Sequence, residues 1–157
     1  MLSATTVKAS HSLKSSIRMK NAFIILNHSL TRLQEEELRS KFGVERIVEM
    51  PQDLKRVWSD FSAWTNLTDS RVSDIVEWLD DQARTADLVV VQGEWGATFY
   101  VVDFCFYKDL IPLYASSERL YEQENLSGQR VRRTHIFKHV KFKKYLRYQE
   151  IVGGQYG

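Results

Sequence analysis

The segment at residues 92–98, with the sequence QGEWGAT, holds residue types well suited to binding an anion. It follows a run of β-branched residues and precedes a long apolar stretch, which places it between a strand and the start of a helix. Glycine lets the backbone approach a ligand closely, and free N–H groups at a helix start favour negative charge. Neither a P-loop nor a GxGxxG motif is present. An anion site and a simple turn both fit this segment, and Trp95 fits either a base-stacking residue or a core or interface residue.

A second polar segment, Asn27-His28-Ser29, follows the first apolar run of the chain. His28 could orient or protonate a leaving oxygen, and Ser29 could bind phosphate. The alternative is that Ser29 or Thr31 only caps a helix, and the residues alone favour that alternative. The histidines show no HxH or HExxH spacing, so the sequence gives little support to a metal site.

Charge is distributed unevenly along the chain. The formal net charge is only +2, yet residues 21–128 hold 10 Lys and Arg against 19 Asp and Glu. Residues 129–147 hold 8 Lys and Arg and no acid. Clustered cations attract phosphate more strongly than the mean charge implies, so this segment predicts an anion-binding surface.

The basic segment also interleaves aromatic residues with its cations. Strict alternation places Phe137, His139, Lys141 and Lys143 on one face of a strand, opposite a face with Ile136, Val140 and Phe142. A face of this composition is typical of surfaces that hold phosphate and stack bases. The alternative is a solvated sheet edge protected by lysines, and the absence of acids favours the anion-binding interpretation.

These segments need a scaffold, and the hydrophobic pattern predicts an α/β fold of the Rossmann-like kind with a C-terminal β-hairpin. The predicted strands cover residues 22–26, 44–50, 87–92 and 110–115, and the hairpin strands cover 119–124 and 131–142. Helices are predicted between them, at 31–41, 52–61, 70–83 and 97–107. Ligands of such sheets bind beyond the carboxyl ends of the strands, which selects 27–29, 92–98 and 116–119.

Local signals predict the helix boundaries. Thr31 and Gln34 have capping-box spacing, and Gly43 is the expected C-terminal stop. Pro51 suits a first helical position, and the next helix is capped by Thr68, Asp69 or Ser70. The run at 35–37 is expected to be a solvated helix face, and Cys105 a buried small residue.

Composition predicts one domain. The chain has 157 residues, of which 43% are hydrophobic and 27% charged, and this is ordinary globular composition. We expect a leader at 1–18, with Met1 or Met19 as the natural start, a domain at 19–150 and a loose tail at 151–157. The single cysteine and the lack of a long apolar run indicate a cytoplasmic protein without a membrane segment.

Four segments taken together resemble a known family. They are FIILNHSLT at 23–31, QGEWGAT at 92–98, IPLYASSER at 111–119 and FKHVKFKKY at 137–145. In this order they resemble the small stand-alone CRISPR-associated Csx proteins of type III systems, which are CARF-like ring nucleases. The resemblance covers about residues 20–146.

The resemblance implies a homodimer that binds cyclic oligoadenylate, above all cyclic tetra-adenylate, and cleaves it to end an antiviral signal. It implies no duplex DNA partner and no cofactor, because the ribose 2′-OH of the substrate can itself attack the adjacent phosphorus. Two alternatives stay open. The chain could bind the ring without cutting it, as a sensor or sink, or it could be a basic RNA-binding module.

Under this hypothesis the backbone N–H groups of Gly93, Trp95 and Gly96 hold a phosphate, and Lys141, Lys143 or Arg119 offsets the transition-state charge. The expected proton-transfer group is His28 or His139. The full set of catalytic candidates is His28, Ser29, Arg119, His139, Lys141 and Lys143, and the metal-binding set is empty. The ligand-binding candidates are Asn27, Gln92, Gly93, Glu94, Trp95, Gly96, Ala97, Thr98, Ser116 and Ser117.

Overall fold

A computed structural model of the protein describes residues 18–128 and 130–153. Its strands are β1 (Asn21–Ile25), β2 (Arg46–Glu49), β3 (Leu88–Val91), β4 (Ile111–Leu126) and β5 (Arg130–Lys144). Its α-helices are α1 (Arg32–Phe42), α2 (Gln52–Ser59), α3 (Val72–Gln82), α4 (Trp95–Tyr107) and α5 (Tyr148–Gly153). Most of the predicted leader and residues 154–157 of the predicted tail lie outside the described residues.

The five strands form one sheet in the order β2-β1-β3-β4-β5. The first four strands are parallel, and β5 runs antiparallel to β4. This confirms the predicted Rossmann-like α/β fold with a C-terminal antiparallel pair. The uninterrupted apolar run of β3 lies at the centre of the sheet, because only a strand covered on both faces can bury every residue.

Helices cover both faces of the sheet and form two separate cores. Helix α1 packs on one face through Leu38, against Ile24, Val90 and Leu113. Helices α2, α3 and α4 pack on the other face, where Ile75 and Val101 meet inward side chains of β1 and β3. Consecutive residues of a buried strand point to opposite faces, so β1 and β3 supply both cores.

The predicted signals of α1 are confirmed in detail. The Thr31 hydroxyl accepts a hydrogen bond from the Gln34 backbone N–H, and the Gln34 side chain accepts one from the Thr31 N–H. Gly43 ends the helix with φ of 68°, in the left-handed region that glycine adopts without strain.

Other boundaries differ from the predictions. Pro51 is the N-cap of α2 and not its first residue, and α3 begins after Arg71, with no capping side chain on that residue. The predicted cap residues Thr68 and Asp69 instead belong to a short 3₁₀ helix.

The bounds of the folded domain also differ from the prediction. Arg18 belongs to the domain because it pairs with Asp87 at 3.1 Å, and residues 151–153 belong to α5. No helix in the described ranges is both long enough and apolar enough to cross a membrane.

The predicted hairpin is an extension of the sheet itself. Strand β4 runs without interruption from the central sheet into the hairpin, where the sequence predicted two separate strands. Its outer half pairs only with β5, and we call residues 117–139 the arm and the remaining described residues the body. Arm and body meet at a β-bulge. Ser116 pairs with Lys141 and Ser117 with His139, so Val140 has no partner in the register.

Candidate functional site

The carboxyl ends of β1 and β3 form the point where the connections of the sheet diverge. The connection after β1 crosses one face through α1, and the connection after β3 crosses the other through α4. Open α/β sheets bind ligands in the crevice at such a point. A cavity of about 290 Å³ lies there. Its lining residues are Asn27, His28, Thr31, Gln34, Gln92, Gly93, Ala115, Ser117, Phe137 and His139.

His139 lines this cavity on the β5 side, and a buried hydrogen bond to Glu37 holds it there. The His139 Nε2 atom lies 2.6 Å from the Glu37 Oε2 atom, and the two side chains are only 7% and 8% exposed. Both Glu37 carboxylate oxygens also accept a hydrogen bond from the Phe142 N–H, at 3.2 Å each. Helix α1 therefore holds the imidazole in place through one carboxylate.

The protonation of this pair follows from its contacts. Burial raises the pKa of Glu37, but hydrogen bonds from His139 and the Phe142 N–H, together with the charge of Lys41 at 3.5 Å, outweigh burial and hold that pKa below its usual value. A carboxylate that stays ionised accepts a hydrogen bond from the ring N–H, so Nε2 is the nitrogen that carries the hydrogen. In the neutral imidazole, Nδ1 then carries the free lone pair.

Two buried side-chain atoms lack a hydrogen-bond partner within the described part of the chain. They are His139 Nδ1 and Thr98 Oγ1. A buried polar atom without a partner costs about 1–3 kcal/mol, so a ligand that supplies the partner gains this energy. His139 lines the first cavity, and Thr98 lines a neighbouring cavity of about 320 Å³ together with Gln92, Gly93, Trp95 and Tyr145.

Gln92 and Gly93 line both cavities. The Gln92 side chain continues the ladder beyond the end of β3, because its amide donates to the Ala115 carbonyl and accepts from the Ala115 N–H, at 3.2 and 2.8 Å. Gly93 is required by packing, since a Cβ atom there would lie 2.7 Å from the Trp58 ring. These contacts give both residues structural roles at the centre of the site.

The predicted phosphate cradle at the start of α4 is occupied by the protein itself. Glu94 is the N-cap, and its carboxylate accepts a hydrogen bond from the Ala97 N–H at 2.8 Å. Hydrogen bonds from the N–H groups of Ala97, Gly96 and Trp95 lower the pKa of Glu94, so a negative charge already sits there. The Glu94 carboxylate thus occupies the place where the sequence analysis put a phosphate on the N–H groups of Trp95 and Gly96, and that assignment stays a prediction. The Ala97 side chain is buried in the core, and its N–H is bonded to Glu94.

The bulge at Val140 also corrects the predicted faces of β5. His139 and Phe142 both contact Glu37 and their rings lie 4.8 Å apart, so they share one side of the sheet. Lys141 and Lys143 alternate with Phe142 and therefore lie on the opposite side. Strict alternation grouped these lysines with His139, and that grouping is wrong because the extra residue inverts the pattern.

Some candidates are brought together and others are not. The residues that meet at the first cavity are Asn27, His28, Gln92, Gly93, Ser117 and His139, while Trp95 and Thr98 meet at the second. Arg119 lies beside the first cavity, because its guanidinium stands over the ring of Phe137 at 5.5 Å. Besides Arg119, the candidates outside both linings are Ser29, Glu94, Gly96, Ala97, Ser116, Lys141 and Lys143. The exposed His28 contacts the Ser29 carbonyl oxygen at 3.0 Å, and Thr31 caps α1.

Two residues of the site, Glu37 and Tyr145, escaped the sequence analysis. Glu37 was expected on a solvated face, but it shares the buried side of α1 with Gln34 and Leu38. Their spacing of three and four residues marks that side, and a carboxylate on it requires a partner. Tyr145 closes the second cavity and donates to the Val91 carbonyl at 3.0 Å, and burial, with a smaller effect from Tyr114, raises its pKa to about 12.

Other chemistry-bearing groups stay apart from the site. A cavity of about 300 Å³ lies near the amino ends of β3 and β4. Two of its charged lining residues, Asp80 and Lys108, already pair with each other at 2.6 Å. Burial raises the pKa of the Cys105 thiol to about 12, which agrees with the expected inert core residue. In the described ranges, no three His, Cys, Asp or Glu side chains lie together in a group that could hold a metal ion.

Comparison with known proteins identifies the family. The family model described as "Uncharacterized protein MJ1673 family" matches residues 20–143, which include the cavity and the whole arm. The protein "Uncharacterized protein MJ1673" of Methanocaldococcus jannaschii is 31% identical over 127 residues, covering 81% of this chain and 98% of that relative. No solved structure matches the chain. The chain thus belongs to the MJ1673 family.

Proposed function

We propose that the protein binds a cyclic oligoadenylate, cyclic tetra-adenylate in the first place, and cleaves it without a metal cofactor. The observation that carries the proposal is the Glu37–His139 pair: the His139 side chain lines the cavity at the switch point of the sheet, and its buried Nδ1 atom has no hydrogen-bond partner within the described part of the chain. The CARF-like resemblance of the sequence supplies the ligand. The activity would end type III antiviral signalling in the cytoplasm.

The proposed reaction needs one base and one acid. His139 Nδ1 takes the proton of a ribose 2′-OH, and the 2′-oxygen attacks the adjacent phosphorus. The bond from phosphorus to the 5′-oxygen breaks, and His28 on the other wall of the cavity protonates that oxygen. The products are a 2′,3′-cyclic phosphate and a free 5′-hydroxyl group. Glu37 does not touch the substrate, and it positions the imidazole and sets its tautomer.

The proposal includes a homodimer, because a ring of like nucleotides presents the same chemistry to two symmetric sites. An exposed apolar surface on α4 supports this part. Trp95, Phe99 and Tyr107 of this helix are 91%, 72% and 81% exposed. Apolar side chains of this size, presented along one helix, are typical of surfaces that another protein covers.

Cleavage is tested with radiolabelled cyclic tetra-adenylate and EDTA. We expect the wild-type protein to convert the ring to linear products that end in a 2′,3′-cyclic phosphate. His139→Ala is expected to lower the single-turnover rate about 100-fold or more, which is the lower range for loss of a general base. His139→Gln is the second variant, since its amide can still contact Glu37 but cannot carry the proton.

The matched control is Lys141→Ala, two residues away on the opposite side of the sheet. It is expected to cleave at nearly the wild-type rate, whereas a loss equal to that of His139→Ala would contradict the assigned base. If the wild-type protein binds the ring and leaves it intact for hours, the sensor alternative replaces the enzyme. Tight binding of linear RNA with no preference for the ring would favour the RNA-binding module.

A further inference from the structure

The arm has two chemically different faces. The register places Ser117, Arg119 and Tyr121 on one side, opposite His139, Phe137 and His135. We call this side, with Arg133 farther out, the stacking face. The acids of the arm, Glu118, Glu122 and Glu124, alternate with these residues and lie on the reverse face. Among the described residues of the arm, the stacking face therefore carries cations and aromatic rings and no acid.

The rings of the stacking face are open to solvent and ordered by contacts with one another. Tyr121 is 67% exposed and Phe137 is 66% exposed. The Arg119 guanidinium bridges them, at 5.8 Å from the Tyr121 ring centre and 5.5 Å from that of Phe137. The His135 ring lies 4.9 Å from Tyr121 in an edge-on arrangement. A row of exposed rings with an interleaved cation matches the platforms on which unpaired bases stack.

The stacking face is continuous with the cavity. Ser117, Phe137 and His139 line the cavity, and Arg119 and Tyr121 follow along the same side of β4. At about 290 Å³ the cavity is at the lower limit of sites for small molecules. A ligand of several nucleotides must extend beyond it, and the arm offers the stacking groups on the side where β4 leaves the body.

We propose that the stacking face binds unpaired bases of a ligand whose phosphate lies at His139, and so selects oligonucleotides over mononucleotides. This inference rests on the proposed function for the position of the ligand, but not for its cleavage. A two-stranded ribbon also fits the major groove of a duplex. Exposed rings favour single strands, because stacking requires a base face that a paired helix does not offer.

The test compares the affinities of two uncleavable ligands by calorimetry. The ligands are linear 2′-O-methyl tetra-adenylate and adenosine monophosphate, so the result does not depend on turnover. Tyr121→Ala is expected to lower the preference for the tetranucleotide about 10-fold, within the range for the loss of one stacked base. Tyr121→Phe keeps the ring and is expected to retain the wild-type preference.

The control is Leu120→Ala, which removes the neighbouring side chain from the reverse face. It is expected to leave the preference unchanged. Equal losses for Tyr121→Ala and Leu120→Ala, or an unchanged preference in Tyr121→Ala, would overturn the inference. Binding of duplex RNA as tightly as the tetranucleotide would overturn it as well. A protein that shows the preference but never cleaves its ring would refute only the proposed reaction.

Discussion

The body and the arm share the two long strands β4 and β5, but their side chains are packed in different ways. Within the body, the side chains of β3 are 0% exposed and covered by helices on both faces. Within the arm, the described side chains of Tyr121 and Phe137 are about two-thirds exposed, and each strand has only the other as a neighbour. An isolated two-stranded ribbon is only marginally stable in water. The difference indicates that the body supplies the stability and the arm supplies surface chemistry.

The junction between the two regions is fixed from the body. Gln92 clamps the backbone of Ala115, and Glu37 clamps that of Phe142, so β4 and β5 are each held next to the bulge. Strand direction is thus set before the arm leaves the sheet. Substitutions on the two sides of this junction are expected to differ both in cost and in the property they change.

The largest effect is expected from the body core. Leu38→Ala removes a side chain that is 0% exposed and that joins α1 to the sheet. We expect a loss of about 3 kcal/mol in the free energy of unfolding, from lost burial and the resulting cavity. Urea denaturation followed by circular dichroism measures it. A loss below 1 kcal/mol would mean that α1 contributes little to the stability of the body.

The next largest loss of stability is expected at the junction, and its size depends on pH. Glu37→Gln removes the charge that holds His139, and we expect a loss on the order of 2 kcal/mol at pH 7, typical of a hydrogen bond to a charged group. The pKa of Glu37 is lowered in the folded protein. Its stabilising contribution is therefore complete above the ordinary value of 4.5 and disappears as the pH falls through the folded-state pKa.

Urea unfolding of wild type and Glu37→Gln at several pH values checks this sign. The difference in the free energy of unfolding between the two proteins should narrow as the pH falls below 4.5. A gap that widens on acidification would show that the carboxyl is protonated more easily in the folded state. The proposed reaction should also slow in this variant, because the amide no longer fixes the tautomer of His139.

A smaller loss of stability is expected at the amino ends of the strands, opposite the cavity. Asp87 is 1% exposed and accepts hydrogen bonds from Asn21 and the Arg84 N–H, with Arg18 as its charged partner. Arg18→Ala should cost about 1 kcal/mol, because Asp87 keeps its other donors and Arg18 is partly exposed. Thermal unfolding measures the change. The arm should be untouched, so oligonucleotide affinity is the internal control.

The smallest effect on stability is expected in the arm. Leu120→Ala changes a residue that is 38% exposed and belongs to neither of the two cores. We expect a change of less than about 0.5 kcal/mol in the free energy of unfolding, as for surface sites in general. A cost close to that of Leu38→Ala would contradict the division into a body that supplies the stability and an arm that does not. It would then show that another surface covers the reverse face.

The sequence predicted most of the body, because local signals and tertiary packing agree there. The apolar run of β3, the capping box of α1 and Gly43 each determine an element within a few residues. The prediction of a solvated helix face at 35–37 was wrong for Glu37, because three adjacent acids indicate exposure to solvent. The spacing of Glu37 from Gln34 and Leu38 was the one local sign of its burial, and its partner His139 lies 102 residues away in the chain.

The site could be predicted in position but not in its contacts. Its place at the carboxyl ends of β1 and β3 follows from topology. Two features could not be derived from spacing. The Glu94 carboxylate caps the start of α4. Whether this carboxylate or a bound anion accepts from the N–H groups there depends on side-chain geometry. The bulge depends on the register between two strands, which hydrophobic alternation alone does not reveal.

The unpaired Val140 makes the arm sensitive to insertions in the facing strand. Deleting Val140 would keep the pairs Ser116–Lys141 and Ser117–His139 and only turn the bulge into a regular ladder. Inserting one residue between Ser116 and Ser117 would instead give Val140 a partner and restore strict alternation along β5. The arm would then turn by half a turn relative to the body and present its acids to the cavity in place of its rings, although no residue between 117 and 139 had changed. One inserted codon in β4 is thus enough to exchange the two faces, and relatives with different ligands can arise from this chain by a change in length alone.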